Sequence, residues 1–370
     1  MGMKLSELSD SQLSKLVDNR WHSSDTVWDT VKKTYDQNIK YYKNEPEWLE
    51  RLPKNHPKVR DSRIFPNMES VINSLIANPP RPIIISGRDT DTAKELATTQ
   101  ERYFSQKYDD LNVKETLRKG LRNLYLARLI VLKPFWDSSI NDFNVRAVDP
   151  RKIRVGKNAT KEDDSEFAIE EVSDSLSAVL KRFPEKKEEI LKKQGIKDEA
   201  AILINNPEVK YKEAWIRDML ICKMGNIILS KGRNPYWDWD GLLVTKEEYG
   251  ELEESEGDER RRMMLEIKIG QTDRQINKRG GIENYEAYYF NHFDVPRKPY
   301  IFATAFNNEN SPVGQTDMIS QAIPLQEAVD ERKRDIARNA RFVNGWMKID
   351  SDVMTKEDAA KLDTEVSGKI

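Results

Sequence analysis

The 370-residue sequence predicts an α+β fold. Apolar residues recur at helical spacing through much of residues 1–128 and again over residues 316–343, whereas short runs of β-branched and aromatic residues dominate residues 129–315. A last segment, residues 344–370, opens with another strand-like run. We therefore predict four segments: a helical N-terminal part, a β-rich part, one long helix and a short C-terminal part.

The composition limits the partners and the compartment. Hydrophobic residues make up 38% of the chain and charged residues 34%, and 61 basic residues face 63 acidic ones. Because a protein that holds nucleic acid tightly through its phosphates should carry a basic excess, tight phosphate binding is disfavoured. No apolar run approaches the roughly 18 residues needed to cross a bilayer, so we expect no membrane partner. Cys222 is the only cysteine, which excludes an internal disulfide and fits a reducing compartment.

The N-terminal part is predicted to be mostly helical. One helix begins at Ile64 and stops at Asn78-Pro79-Pro80, because proline cannot continue it. The apolar run Pro82–Ile85 predicts a short strand. A long helical region follows over Thr92–Leu132, with a break near Asp109-Asp110. Gly120 lies inside its second half without a capping role, which indicates close packing against a neighbour.

In residues 129–315 the spacing of apolar residues changes from that of helices to that of strands. The predicted strands are Leu129–Phe135, Phe143–Val148, Phe167–Val172 and Val209–Cys222. Ser173 is placed to cap the helix that follows the third of these. Gly225-Asn226 provides a hairpin turn after the fourth.

A charged insertion near residues 246–262 interrupts the β-rich part. Eight carboxylates fall between Glu247 and Glu259, and Arg260, Arg261 and Arg262 follow directly. Such a run forms either a charged helical insertion or a flexible excursion. In both cases we expect the charges to be solvated rather than catalytic.

Near the C-terminus the sequence predicts a strand, a turn and one long helix. Ile301–Phe306 has strand character, and the Asn, Ser, Pro and Gly residues that follow predict a turn. Thr316 or Asp317 can cap the helix. Pro324 indicates either a kink or a short first helix that ends at Ile323 before the long helix restarts.

A narrow apolar stripe runs along this helix. Its members are Ile319, Ala322, Val329, Ile336, Ala340 and Val343. Gln326 and Lys333 occupy the two remaining positions, and charged residues cover the other faces. One interpretation is a partly exposed helix between two sheets of an ordinary globular domain. The other is a helix that contacts neighbouring molecules, because so narrow a stripe does not bury itself in its own subunit.

No catalytic constellation is found, and we predict no catalytic residue, no cofactor and no metal. The three histidines are far apart in the sequence, and Cys222 is interpreted as a buried small hydrophobic residue. Asp238 and Asp240 could place two carboxylates on one face of a strand, as two-metal nucleases require, but a turn rich in Asp and Trp is the favoured interpretation of this segment. A carboxylate-dependent nucleic-acid-processing enzyme is therefore the alternative function.

The order and spacing of several segments resemble the portal, or head-to-tail connector, protein of tailed bacteriophages, especially the podovirus-like group. The similar segments are Asn67–Pro80, Leu129–Asp137, Val145–Pro150, Leu180–Pro184, Gly225–Leu229, Asn234-Pro235-Tyr236, His292–Pro296, the strand up to Phe306, Ser311–Gly314 and Pro324–Asp330. They lie in order between residues 60 and 350, and their succession carries the resemblance.

The resemblance implies a portal-type subunit. Residues up to 315 would form a helical and β-rich wing, residues 316–343 the first stem helix, and residues 344–370 the start of a clip. The family continues with the rest of the clip, a second stem helix, a tunnel loop and a crown. These do not fit into the 27 residues after Val343, so we expect the C-terminal remainder to be absent from this sequence.

The resemblance also implies a function without enzymatic activity. The family forms a closed ring of about twelve copies at the capsid vertex, through which double-stranded DNA passes during packaging and ejection. The implied partners are other copies of the chain, DNA in weak and non-specific contact, the major capsid protein, the terminase large subunit, and neck and tail adaptor proteins. The implied location is the virion, after assembly in the host cytoplasm.

Three groups of site residues follow from these interpretations. Subunit contacts in the stem are predicted at Ile319, Val329, Ile336 and Ala340. Charges that could face the channel are Glu327, Asp330, Lys333, Arg334, Arg338 and Arg341. Docking of terminase or tail proteins to the clip is predicted at Trp346, Met347 and Lys348.

Overall fold

The computed structural model of the chain contains both helices and strands, which confirms the α+β class. The helices are α1 (Asp10–His22), α2 (Asp25–Tyr42), α3 (Trp48–Arg51), α4 (Ile64–Ala77), α5 (Asp91–Asp110), α6 (Val113–Ala127), α7 (Leu176–Arg182), α8 (Lys187–Gln194), α9 (Lys246–Glu254), α10 (Gly257–Ile269), α11 (Gln271–Gly280) and α12 (Met318–Asn344). The strands are β1 (Ile130–Asp137), β2 (Asp142–Ala147), β3 (Ile153–Val155), β4 (Phe167–Ser175), β5 (Glu208–Ile216), β6 (Met219–Met224), β7 (Ile227–Arg233), β8 (Leu242–Val244), β9 (Glu286–Tyr288) and β10 (Ile301–Ala303). The structure describes residues 5–52, 56–77, 83–86, 90–137, 141–160, 164–196, 206–236, 242–281, 284–288, 297–307 and 311–344.

The chain divides into two compact units, each assembled from segments that are distant in sequence. Unit 1 comprises residues 1–25 and 152–300, and unit 2 comprises residues 26–151 and 301–370. The predicted division between a helical part and a β-rich part at residues 128 and 129 falls inside unit 2, because α6 packs on β1 and β2. Each unit therefore combines segments that are not consecutive in the sequence.

Unit 1 is built on a five-stranded antiparallel sheet with the strand order β3-β4-β5-β6-β7. Successive residues of a strand point to opposite faces, and here both faces are covered. Helix α1 covers one face, where Leu13 and Val17 pack with Ile169. Helices α7 and α8 cover the other, where Leu176 and Ile190 join the core.

Two sequence predictions in this sheet need correction. The predicted strand Val209–Cys222 is in fact the two strands β5 and β6, because Arg217 adopts a left-handed backbone with φ of 48° and turns the chain. The cap of α7 is Ser175 rather than Ser173, since β4 continues to Ser175 before the helix begins. The hairpin turn at Gly225-Asn226 is confirmed, with Gly225 at a φ of 60°.

The charged insertion is helical, which decides between the two predicted states. Helices α9, α10 and α11 pack with the two-stranded sheet of β8 and β9. They share a small core of their own, whose buried members are Leu242, Val244, Leu252, Ile267 and Tyr288. Thr245 and Glu248 form a capping box at the start of α9, which fixes where the insertion becomes helical.

Unit 2 combines a three-stranded antiparallel sheet, ordered β10-β1-β2, with α2 to α6 and α12. The close packing predicted at Gly120 is confirmed, since a Cβ atom there would lie 3.1 Å from Ile130 Cγ2. The predicted break in the long helical region is also confirmed by the end of α5 at Asp110. The strand predicted over Pro82–Ile85 is wrong for residues 83–85, which pair with no strand among the described residues, and Ile83 and Ile85 are exposed.

Helix α12 is the longest helix among the described residues. It runs without interruption past Pro324, so the alternative of a short helix ending at Ile323 is wrong. Pro324 is exposed, where water can serve the carbonyl group that lacks its usual donor. Ile319 and Ile323 anchor the first turns in a core shared with α4 and α6. The strand-like run predicted at the start of residues 344–370 lies outside the described residues.

Candidate functional site

One buried carboxylate fixes the N-terminus of α12. Asp317 Oδ1 accepts hydrogen bonds from the Ser320 backbone N–H at 2.6 Å and from Asn38 Nδ2 at 3.0 Å. Its Oδ2 accepts from Arg128 Nε at 2.7 Å and from Ser320 Oγ at 2.6 Å. A buried charge is tolerated only with such partners. Asp317 is therefore the helix cap, one of the two predicted, and it also joins α12 to α2 and to the end of α6.

Arg128 connects the same place to the turn before α12. It ends α6 in the left-handed conformation, with φ of 64°, and its Nη1 donates to the Gln315 carbonyl at 2.8 Å. Its own carbonyl accepts from the Gly314 N–H at 3.2 Å. A Cβ atom on Gly314 would lie 3.1 Å from the carbonyl oxygens of both Arg128 and Phe306, so this close approach needs glycine.

A second group of polar contacts holds the middle of α12 to the segment before α4. Asp330 Oδ1 accepts hydrogen bonds from the Asp61 N–H at 2.7 Å and from Gln326 Nε2 at 3.1 Å. Gln326 Nε2 also donates to the Asp61 carbonyl, and its Oε1 accepts from the Arg63 N–H at 3.4 Å. Gln326 can be buried inside an otherwise apolar stripe because backbone groups of this segment satisfy its amide.

Charged and aromatic residues extend this contact along the helix. Lys333 Nζ lies 2.8 Å from Asp61 Oδ2, and the hydrogen bond from Lys333, together with one from Arg63, lowers the pKa of Asp61. The Arg334 guanidinium stacks on Trp48, with 3.9 Å between its central carbon and the ring centre. One side of α12 is thus tied to its own unit over about four turns.

The other side of α12 carries exposed apolar residues. Met318, Leu325 and Ile336 follow one another at steps of seven and eleven residues, and both steps are close to whole numbers of helical turns. Leu325 is 71% and Ile336 67% exposed. Val329, which is half-buried, and Ala340, which is exposed, lie beside this line. We call these five residues the apolar strip of α12.

Of the four predicted subunit-contact residues, three belong to the apolar strip: Val329, Ile336 and Ala340. Ile319 does not. It is fully buried in the core of unit 2 beside Ile72, so it cannot contact another subunit in this conformation. The helical stripe drawn from the sequence includes Ile319 because it mixes residues of the buried and the exposed side of α12.

The charges predicted to face a channel mostly contact their own chain. Asp330 is fully buried within its own unit. Lys333 and Arg334 have the partners given above, and Glu327 accepts a hydrogen bond from the Tyr41 hydroxyl. Arg338 is half-buried. The other predicted positions, Arg341 (its side chain), Trp346, Met347, Lys348, Asp238 and Asp240, lie outside the described residues.

Several residues of this site were not found from the sequence. Met318 and Leu325 fall off the stripe when steps of three and four are counted from Ile319, although the step of eleven from Leu325 to Ile336 would have placed them. Asn38 and Arg128 reach Asp317 across 279 and 189 residues of sequence. No local pattern signals such a contact.

Comparison of the sequence with protein-family models and with curated proteins gives no match. Within the part of the chain that the structure describes, no group of three or more His, Cys, Asp or Glu side chains is placed to hold a metal ion. No helix in that part is long and apolar enough to cross a membrane. The geometry of α12 is therefore the basis for the functional proposal below.

Proposed function

We propose that this chain is a subunit of a portal-type ring, which forms a channel for double-stranded DNA at a bacteriophage capsid vertex. In this proposal α12 is the first stem helix, residues up to 315 form the wing, and residues 344–370 start the clip. Two lines support it: the order of segments that resembles portal proteins, and the two-sided construction of α12.

The observation that carries the proposal is the apolar strip of α12. The helix is already fixed on its inner side by Asp317, Gln326 and Asp330, so the strip is not needed to hold it in place. Leucine and isoleucine side chains left exposed in a row on a fixed helix suit a contact with another protein surface. In a closed ring, each copy meets its two neighbours through two different surfaces. We expect the strip of each copy to lie in one of these contacts.

The charges of the chain support a channel that does not hold DNA firmly. The formal net charge is −2. Lys333 is paired with Asp61, and Arg334 is stacked on Trp48, so contacts within the chain hold both cations in place. Since DNA affinity rises with the number of phosphates neutralised, we expect weak and non-specific binding.

The proposal extends to assembly and partners. About twelve copies would form the ring, as in the family that the sequence resembles. The ring would sit in the capsid shell, contact the major capsid protein, and dock the terminase large subunit during packaging and the neck and tail adaptors afterwards. It would assemble in the host cytoplasm and remain in the virion.

Mass photometry and negative-stain imaging of the purified chain test the proposal, and rings are the expected result. Ile336→Asp should abolish them, because an unpaired charge in each subunit contact costs about 2 kcal/mol or more. The subunit itself should stay folded by circular dichroism, since Ile336 is mostly exposed in a single copy.

The matched control is Ala328→Asp, which places the same charge on an exposed position of α12 outside the apolar strip. It should leave the rings intact. Normal rings from Ile336→Asp, or unfolding of its subunit, would contradict the assignment of α12 as a stem helix. Tight, sequence-selective DNA binding at physiological salt would contradict the channel itself.

A further inference from the structure

The charged insertion carries two surfaces of opposite sign. We call the described residues 242–281 and 284–288 the charged module. Residues 246–259 contain eight carboxylates and one lysine, whereas residues 260–280 contain seven basic and two acidic residues. This separation is unusual in a chain whose charges are otherwise interleaved.

Helix α9 turns its carboxylates outward. Leu252 is fully buried in the core of the module, and the opposite side of the helix carries Glu247, Glu251 and Glu254, all of them exposed. Glu248 lies nearer the core and pairs with Arg274 Nη2 at 2.6 Å, which neutralises it inside the module. Within the described residues, no ion pair forms with the three outer carboxylates.

Helix α10 turns arginines and apolar residues outward. Its inner side is defined by Ile267, which is buried in the same core. Its outer side carries Arg261 and Arg262, with Leu265 and Ile269 one turn apart. Ile269 is 80% exposed, although a helix with a filled inner side has no structural need for it there.

We propose that the acidic outer face of α9 in one copy binds the basic and apolar outer face of α10 in the next copy of this chain. The proposal rests on the ring described above and identifies a second contact within it, apart from α12. A copy that uses its α9 towards one neighbour keeps its α10 free for the other neighbour, so the contact repeats from copy to copy. Opposite charges guide the approach, and Leu265 and Ile269 lose water-exposed apolar surface when it closes.

Crosslinking between different chains tests the contact directly. Chains with Glu251→Cys are mixed with chains carrying Arg262→Cys, assembled and oxidised. A disulfide-linked pair of chains on a non-reducing gel is expected, and it cannot arise within one chain. The native Cys222 is buried and does not compete. Mixing Glu251→Cys with Lys192→Cys, an exposed position on α8, should give no such pair.

Charge reversal provides the second measurement. Arg261→Glu with Arg262→Glu should weaken assembly by about tenfold at low salt, and Glu251→Arg with Glu254→Arg should do the same. All four substitutions in one chain should restore assembly, because each reversed face then meets a reversed partner. The differences should shrink as ionic strength rises and screens exposed charges.

The outcomes separate this contact from the proposed function. If rings form without the crosslink and charge reversal does not affect their assembly, the contact between α9 and α10 is contradicted but the ring is not. A chain that never forms rings but still crosslinks through α9 and α10 would support the contact and overturn the portal proposal. Neither rings nor crosslinks would overturn both.

Discussion

The sheet of unit 1 and the surface of unit 2 differ in how completely they bury their apolar side chains. The five-stranded sheet of unit 1 is covered on both faces by its own helices. Among the described residues, the large apolar side chains that unit 1 exposes are Leu265, Ile269 and Ile276, all in the charged module. Those that unit 2 exposes are Phe65, Leu75, Ile83, Ile85, Leu96, Tyr103, Phe104, Trp136, Ile301, Phe306, Met318, Leu325 and Ile336. The two units therefore differ in how much large apolar surface they leave exposed to solvent.

The two units also use buried polar groups differently. In unit 2, Asp317 and Asp330 fix one long helix through hydrogen bonds that accept only one arrangement. In unit 1, the buried ammonium of Lys223 donates to the Ser14 carbonyl and to Asp18, which ties α1 to a sheet that is already well packed. Helix α12 has apolar residues on both its buried and its exposed side, so apolar packing alone does not determine which side faces inward. Buried hydrogen bonds therefore matter more for the orientation of α12 than for that of α1.

The largest expected effect breaks the closed core of unit 1. Ile169→Ala should lower the free energy of unfolding by about 4 kcal/mol, because it leaves a cavity in a fully packed sheet face. Urea denaturation, read by hydrogen exchange of the β4 and β5 amides, measures it.

Its counterpart in unit 2 is Ile301→Ala on β10, where half of the side chain is already exposed. We expect a loss below about 1 kcal/mol at this position. Equal losses at Ile169 and Ile301 would show that the surface of unit 2 is as well covered as the sheet of unit 1, and the comparison would fail.

A smaller effect is expected at the polar anchor of unit 2. Every group that contacts the Asp317 carboxylate is a donor, so Asp317→Asn directs an amide NH2 at Arg128, Asn38 or Ser320. We expect a loss of about 3 kcal/mol, measured as a fall in the urea midpoint. Asp335→Asn, on an exposed position of the same helix, should change the midpoint little.

The sequence predicts local structure well. It predicts poorly which side of a helix faces inward and which residues distant in sequence come into contact. The long helix, a cap at Thr316 or Asp317, and the turn at Gly225 are predicted from local sequence patterns. The structure contains the helix and the turn, and it makes Asp317 the cap. The strand Val209–Cys222 was not divided correctly because Arg217 lacks the signature of a left-handed turn residue.

The side of α12 that faces inward was harder to predict. In the sequence, Gln326 interrupts the apolar stripe, yet it is buried because the backbone around Asp61 supplies its hydrogen-bond partners. That segment is 265 residues away in sequence. The burial of Gln326 therefore depends on a tertiary contact that the local sequence pattern does not predict.

The last expected effect depends on pH and sharpens the comparison for unit 2. Glu69 on α4 accepts hydrogen bonds from Arg122 Nε and Nη2 on α6, both at 2.9 Å, and another from the Tyr42 hydroxyl. The bonds from Arg122, with that from Tyr42, lower the pKa of Glu69 from 4.5 to about 2. Since the folded pKa lies below the unfolded one, this stabilisation is complete above pH 4.5 and is lost as the pH falls towards 2.

Removing this carboxylate should therefore flatten the acid side of the stability curve. Glu69→Gln should cost about 1 kcal/mol at pH 7, a value kept small because Arg122 is partly exposed, and should cost progressively less below pH 4.5. Thermal melts between pH 7 and pH 3 measure the difference. Arg122→Met should give the same pH dependence, and the double variant should lose little more than either single one, because both remove one interaction. Additive losses would show that the two residues stabilise unit 2 independently, and a constant loss across pH would assign the effect of Glu69 to packing rather than to its charge.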